Sequence, residues 1–291
     1  MMLFSYPFAL DTLLLCLVLT AVHSYLGYHV VRRGVIFVDL SLAQVAALGT
    51  SVGILFGFGE NSPMQSYLFS LGFALAGAGL FVWFRKAQSK VPIEALIGIT
   101  YAAAIALALV VLEKTSEGTE HIKEMLAGSL LTVSPKQLTS VIVIYIIVSL
   151  IQFIFRRPIL AVTEDPDNAK IQKYNIGLWD FVFYTTFAFV VTTSVNIAGV
   201  LLVFAFLIVP AVAGLIVFGN RTGRIVFGWI FGAVGSVTGL ELSLRLDWST
   251  GPTIVVVLLI LLIATGAFVM IFNRKNKLPN AEERVPRLEG G

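Results

Sequence analysis

Long apolar stretches alternate with short polar breaks along nearly the whole chain. Nine of them, at 8–31, 35–58, 67–84, 93–112, 137–155, 178–195, 198–218, 225–244 and 253–272, come close to the ~20 apolar residues a helix needs to cross a hydrocarbon core. The cuts between them fall at helix breakers: Gly34, Pro63, Pro92, Pro135, Pro158, Gly177, Gly223 and Gly251–Pro252. The pattern predicts an all-α polytopic fold with one membrane domain over 1–272. A polar tail over 273–291 is too poor in apolar residues to build a core and is predicted to be disordered. Glycines recur at a spacing of four (Gly49, Gly53 and Gly57; Gly228 and Gly232; Gly235 and Gly239), as where helix backbones approach closely in lipid. The connection 156–176 contains Asp165-Pro166, an N-cap followed by proline at the first helical position, and predicts a short helix over 166–174 that stops before Gly177.

The basic residues orient this bundle. Sixteen of the twenty lysines and arginines fall in the breaks after the odd-numbered spans and in the tail, and four fall in the alternate breaks. Basic loops stay in the cytoplasm, so the N-terminus is expected outside and the C-terminus inside. Composition agrees: 57% of residues are hydrophobic and 13% charged, against about 25% charged in soluble domains. The net charge of +3 is no nucleic-acid footprint, and the single cysteine, Cys16, excludes disulfide frameworks and cysteine zinc sites. The first apolar stretch has no basic leader and runs into His23 and Arg32–Arg33 rather than a cleavage site, so it reads as a span and not a signal peptide. No G-x-x-x-x-G-K-[ST] phosphate loop occurs; if ATP drives this protein, the ATPase is another polypeptide, and the 156–176 connection is its natural docking element.

Ionisable side chains inside spans are costly and mark functional sites. Here they are Asp11, His23, His29, Asp39, Glu94 and Glu241. Asp39 stands out, a short way into the second span, with Ser41 beside it and Gln44 deeper. Five positions turn a helix by about 140° beyond a full circle, so Asp39 and Gln44 do not share one face. Carboxylate and amide oxygens suit hard divalent cations, and imidazole suits zinc and similar metals. The competing reading pairs Asp39 with Arg32 or Arg33. His23 either lines a path or hydrogen-bonds helix to helix, and His29 is expected at the interface. Glu241 and Arg245, four apart, form a helical ion pair at the outer mouth. Asp11 is expected to be wet, and Glu94 follows Pro92 where an acid suits the helix dipole. In the polar outer loop, His121 and Glu124, with Glu117 before them, form either a metal-capture face or a solvated acidic face.

Several segments resemble one family, the permease subunits of bacterial ABC importers for zinc, manganese and iron. They are Arg32-Arg33 with Gly34 through Gln44, Ala127 through Pro135, Glu164-Asp165-Pro166, Gly199 through Pro210, and Asp247 through Pro252. The resemblance implies a homodimer around a central pore, two cytoplasmic ATP-binding subunits, and an extracytoplasmic metal-binding protein. No cofactor resides on the permease; the divalent metal ion is cargo. Metal contact then falls to Asp39, Gln44 and His23, and coupling to Glu164, Asp165, Pro166 and Asp167. Family members commonly carry His four residues after this Asp; here that place is Ala43. A proton- or sodium-coupled transporter using Asp39 or Glu241 as relay is the alternative, although no internal repeat supports it. No H-E-x-x-H motif supports an intramembrane enzyme.

Overall fold

Apolar side chains on every face leave each segment one way to satisfy its backbone in hydrocarbon, as a helix. The computed structural model describes residues 7–58, 62–86, 91–114 and 130–276, and all its regular elements are helical. Nine helices among the described residues are long and apolar enough to cross a membrane. They are α1 (Pro7–Arg33), α2 (Val38–Leu55), α3 (Pro63–Lys86), α4 (Ile93–Leu112), α5 (Pro135–Ile154), α8 (Ile176–Ala198), α9 (Val200–Val217), α10 (Arg221–Leu246) and α11 (Thr250–Asn276). Two short helices, α6 (Arg156–Glu164) and α7 (Pro166–Ile171), lie between α5 and α8, and Leu130–Thr132 forms a 3-10 turn.

Local chemistry sets the ends. Ser134 and Gln137 close a capping box before Pro135 at the start of α5. Asp165, Asn175 and Asn220 each accept a bond from the backbone N–H three residues on, at the heads of α7, α8 and α10. The expected spans are all present, with four corrections to their punctuation. Pro158, Gly177, Gly223 and Gly251–Pro252 lie inside the first turns of α6, α8, α10 and α11 rather than ending helices. First-turn N–H groups have no intrahelical partner, so a breaker is tolerated there. The 156–176 connection therefore holds two helices, not one; α7 ends at Ile171, followed by Lys173 at φ 62°. At the C-terminus, α11 continues through Asn276, so the first residues assigned to the tail are helical; 277–291 lie outside the described residues.

α1 packs on α9 and α10, α10 on α11, α2 on α3 and α4, and α3 on α8, while α5 joins α8. α2 and α8 are the most enclosed spans and α11 the least. Small residues make this possible. A Cβ on Gly27 would lie 1.9 Å from the Leu207 carbonyl oxygen, so α1 and α9 touch through their backbones there. The four-spaced glycines act as expected on α2 and α10. A Cβ on Gly49 would meet Phe69 O at 2.6 Å, on Gly232 the Thr20 methyl at 2.3 Å, and on Gly239 Ile254 Cα at 2.7 Å. Gly228 sets α10 against the carbonyl of Pro210, inside α9. Gly57 has no such neighbour; it turns the chain after α2.

Candidate functional site

Gly34, at φ 66°, turns the chain out of α1, and the backbone N–H of Ile36 donates to Glu94 Oε1 at 2.8 Å, fixing the heads of α2 and α4 together. Glu94 is thus a structural residue, as expected, through a specific bond as well as its place near the helix dipole. That pin places Asp39 in the first turn of α2, 1% exposed, with Ser41, Leu42, Ala43 and Gln44 also buried. Oδ1 of Asp39 is enclosed and has no hydrogen-bond partner, and neither has Oγ of Ser41. Buried polar atoms are nearly always satisfied, and leaving a carboxylate oxygen unmet costs several kcal/mol. None of the ion pairs among the described residues includes Asp39. The competing pairing with Arg32 or Arg33 is therefore not formed: Arg32 is exposed, and Arg33 is engaged elsewhere. An acceptor with open coordination at a helix head is what a cation would use.

His23 is occupied. Nδ1 meets Leu19 O at 2.8 Å, and Nε2 meets Ser194 Oγ at 3.2 Å. Tyr145 OH bonds the same Ser194 hydroxyl. A neutral ring with its proton on Nδ1 donates to Leu19 O, and its Nε2 faces the Ser194 hydroxyl, whose single proton also has the Val190 carbonyl within reach. Tyr67 OH meets Thr193 Oγ1 at 3.1 Å, and Asp39 lies within electrostatic reach of Tyr145. These hydroxyls of α3, α5 and α8 form a polar seam beside α2 that sequence reasoning missed; the run Thr192-Thr193-Ser194 in an apolar span was its visible sign. Gln44 is buried, 2% exposed. No three His, Cys, Asp or Glu side chains gather as a metal-holding set among the described residues.

The opposite assignment failure concerns Asp180, which falls in a predicted span yet was not counted among its ionisable residues. Its Oδ1 takes Arg33 Nη1 at 2.6 Å and Arg85 Nη1 at 2.7 Å, uniting α1, α3 and α8. Arg33 Nε also donates to Thr163 Oγ1 at 3.0 Å, and His29 Nδ1 meets the same oxygen at 2.8 Å. His29, expected at the interface, is instead fully buried against Phe183, because α6 covers it. Glu164, at the end of α6, accepts from Tyr28 OH at 2.8 Å and Arg221 at 3.3 Å. Asp165 caps α7, Pro166 opens it, and Asp167 pairs with Lys170 at 3.0 Å. Glu241 and Arg245 form the expected pair at 2.8 Å. Asp11 is half-buried. His121 and Glu124 lie outside the described residues.

Nine apolar spans among the described residues, an enclosed carboxylate and two short helices between α5 and α8 make the architecture of a multi-pass membrane protein. The chain belongs to the ABC 3 transport family, which matches residues 5–269; its metal-transport members are permeases, multi-pass proteins of the bacterial inner membrane. It is 23% identical over 280 residues to the manganese transport system membrane protein MntC of Listeria monocytogenes, covering 95% of this chain and 97% of that one. It is 26% identical over 246 residues to the high-affinity zinc uptake system membrane protein ZnuB of Haemophilus influenzae, covering 84% and 91%. PsaBC from Streptococcus pneumoniae, solved in complex with Fab, shares the fold with a TM-score of 0.77 at 19% identity, over 94% of this chain and 98% of that one.

Proposed function

We propose that this chain is the membrane-spanning subunit of an ATP-driven importer for a divalent metal ion, working by alternating access. Two copies enclose the path, with N-termini outside and C-termini in the cytoplasm. A separate ATP-binding subunit docks on α6 and α7, and an extracytoplasmic protein delivers the ion. Asp39 is the cation contact, with Gln44 assisting from another face of α2. The observation that carries this reading is the buried Asp39 oxygen without a partner. Its supports are the family and the manganese and zinc transport names of its relatives. Oxygen donors, with Ala43 in place of an imidazole, suit manganese better than zinc. An incomplete ligand set fits transport, which must release what it binds. His23 serves as a bonding partner of Ser194 and not as a ligand.

The test is metal uptake by the complex reconstituted with its ATP-binding subunit and its external metal-binding protein, across a panel of manganese, iron(II) and zinc. Asp39→Asn is expected to abolish uptake while leaving folding and ATPase docking intact. Full uptake by that variant would move the site elsewhere, and uptake without any ATPase would favour an ion-coupled secondary transporter.

A further inference from the structure

Beneath α7 lies a cleft of about 420 Å³ whose walls include Arg33, Arg85, Asp180, Tyr184 and Lys170. Its charge does not balance. Arg33 and Arg85 share a single oxygen of Asp180, and Arg33 and Asp180 have side chains only 1% exposed. Two guanidinium groups against one carboxylate leave one positive charge in a mostly buried cluster. Lys170 and Asp167, both on the cleft wall, cancel each other at 3.0 Å. Arg33 Nη2 and the Tyr184 hydroxyl are enclosed beside each other on the cleft wall, and neither bonds any third group. Ile176 and Gly177, the first residues of α8, line the same cleft, which adds the positive end of a long helix and its free N–H groups.

Net positive charge, enclosed donors and a helix N-terminus converge on one kind of ligand. The geometry points to a phosphate-type oxyanion bound in this cleft between α3, α4, α7 and α8. The cleft lies where α3 ends and α4 and α8 begin, so its depth is that of the phosphate layer of the leaflet at the basic end of the bundle. An anionic phospholipid headgroup meets it there; dissolved inorganic phosphate has the same chemistry. The anion would complete the coordination of Arg33 and Arg85 and hold α7 down on the ends of the spans. This inference does not depend on what the protein transports.

The full chain is purified into nanodiscs of phosphatidylcholine alone or with phosphatidylglycerol, and inorganic phosphate is titrated into the phosphatidylcholine discs. Melting midpoints and lipids retained in native mass spectrometry are read. Phosphatidylglycerol is expected to raise the midpoint and to stay bound, with Arg85→Gln weakening retention about tenfold, the scale of one charge-assisted bond, and Lys170→Gln weakening it too, because Asp167 on the cleft wall is then left uncancelled. Equal stabilisation by inorganic phosphate in the phosphatidylcholine discs would keep the site and name the free ion as its ligand. If Arg85→Gln does not fold, the solvent-facing Lys170→Gln decides. The inference is overturned if neither anion affects the wild type, or if the variants that fold respond as it does. It is also overturned if only the ATP-binding subunit stabilises the chain, in discs free of both anions, because a partner's side chain would then fill the cleft.

Discussion

Asp180 and Asp167 are both acids paired with bases at the same end of the bundle, and they should behave oppositely when neutralised. Asp180→Asn keeps the side-chain shape but removes the one carboxylate that serves Arg33 and Arg85 at 2.6 and 2.7 Å. Arg33 is 1% exposed and cannot turn to water, whereas Arg85 is 20% exposed and partly can. Removing one partner of a buried pair costs ~3–5 kcal/mol because the other charge stays buried. The partial exposure of Arg85 and the remaining amide oxygen place the expected loss near the lower end, about 3 kcal/mol. Asp167 and Lys170 have side chains 89% and 65% exposed, and such pairs contribute under ~1 kcal/mol. Unfolding of the purified full chain by SDS in mixed micelles, followed by tryptophan fluorescence in neutral detergent, gives both values on one scale. Similar midpoints for Asp180→Asn and Asp167→Asn would refute the claim that the triad is a buried clamp.

Three further substitutions separate the forces in the bundle. Gly27→Ala puts a Cβ 1.9 Å from the Leu207 carbonyl oxygen, so the α1 and α9 backbones must part at a cost of ~1–3 kcal/mol or more; Gly72→Ala, with nothing within 4 Å, is the neutral control in the same unfolding assay. Thr163→Val deletes the oxygen shared by Arg33 Nε and His29 Nδ1 and should cost ~1–3 kcal/mol for the donor left unmet, with an added loss of transport per ATP hydrolysed if α6 transmits motion. Gly199→Ala forces a side chain into φ 76°, ψ 157°, a region costing ~1–3 kcal/mol for any other residue, and should lower the yield of folded protein.

The spans were legible because hydrocarbon enforces one rule on every residue: apolar stretches of sufficient length must be helices. The glycine contacts were legible for the same reason, since close backbones in lipid need small side chains. α6 was not, because Pro158 looks like an interruption, and only its position in a first turn makes it harmless. Ile159 and Val162, the two apolar residues that α6 buries, give too short a run to show a helical period. At the site, Asp39 was visible as an acid in an apolar span, but its lack of a partner was not. That follows from Arg33 choosing Asp180, across a separation no local pattern encodes. Asp180 could have been suspected, since three basic or acidic residues near the ends of separate spans on one side must find partners or water.

These bonds divide the bundle into parts with different mechanical standing. Thr163 holds His29 and Arg33, and Glu164 holds Tyr28 and Arg221, so α6 is tied to α1 and α10 by polar contacts at fixed geometry. Arg33 carries the tie through Asp180 to α8 and Arg85 on α3. α2 has no ion pair in this network. It is joined to α1 through the Gly34 turn, to α4 through the Ile36–Glu94 bond and to α3 through the bond from Ser70 Oγ to the Ala46 carbonyl at 3.0 Å, and it rests on α3 at Gly49. Directional polar bonds resist sliding, whereas smooth backbone contacts at glycine permit it. On the function proposed above, a force applied to α6 would reach α1, α3, α8 and α10 through the ion-pair network, and α2 only through its neighbours α1, α3 and α4. The helix carrying Asp39 would then follow the shift of its neighbours, opening and closing the enclosed carboxylate oxygen that has no partner within the bundle.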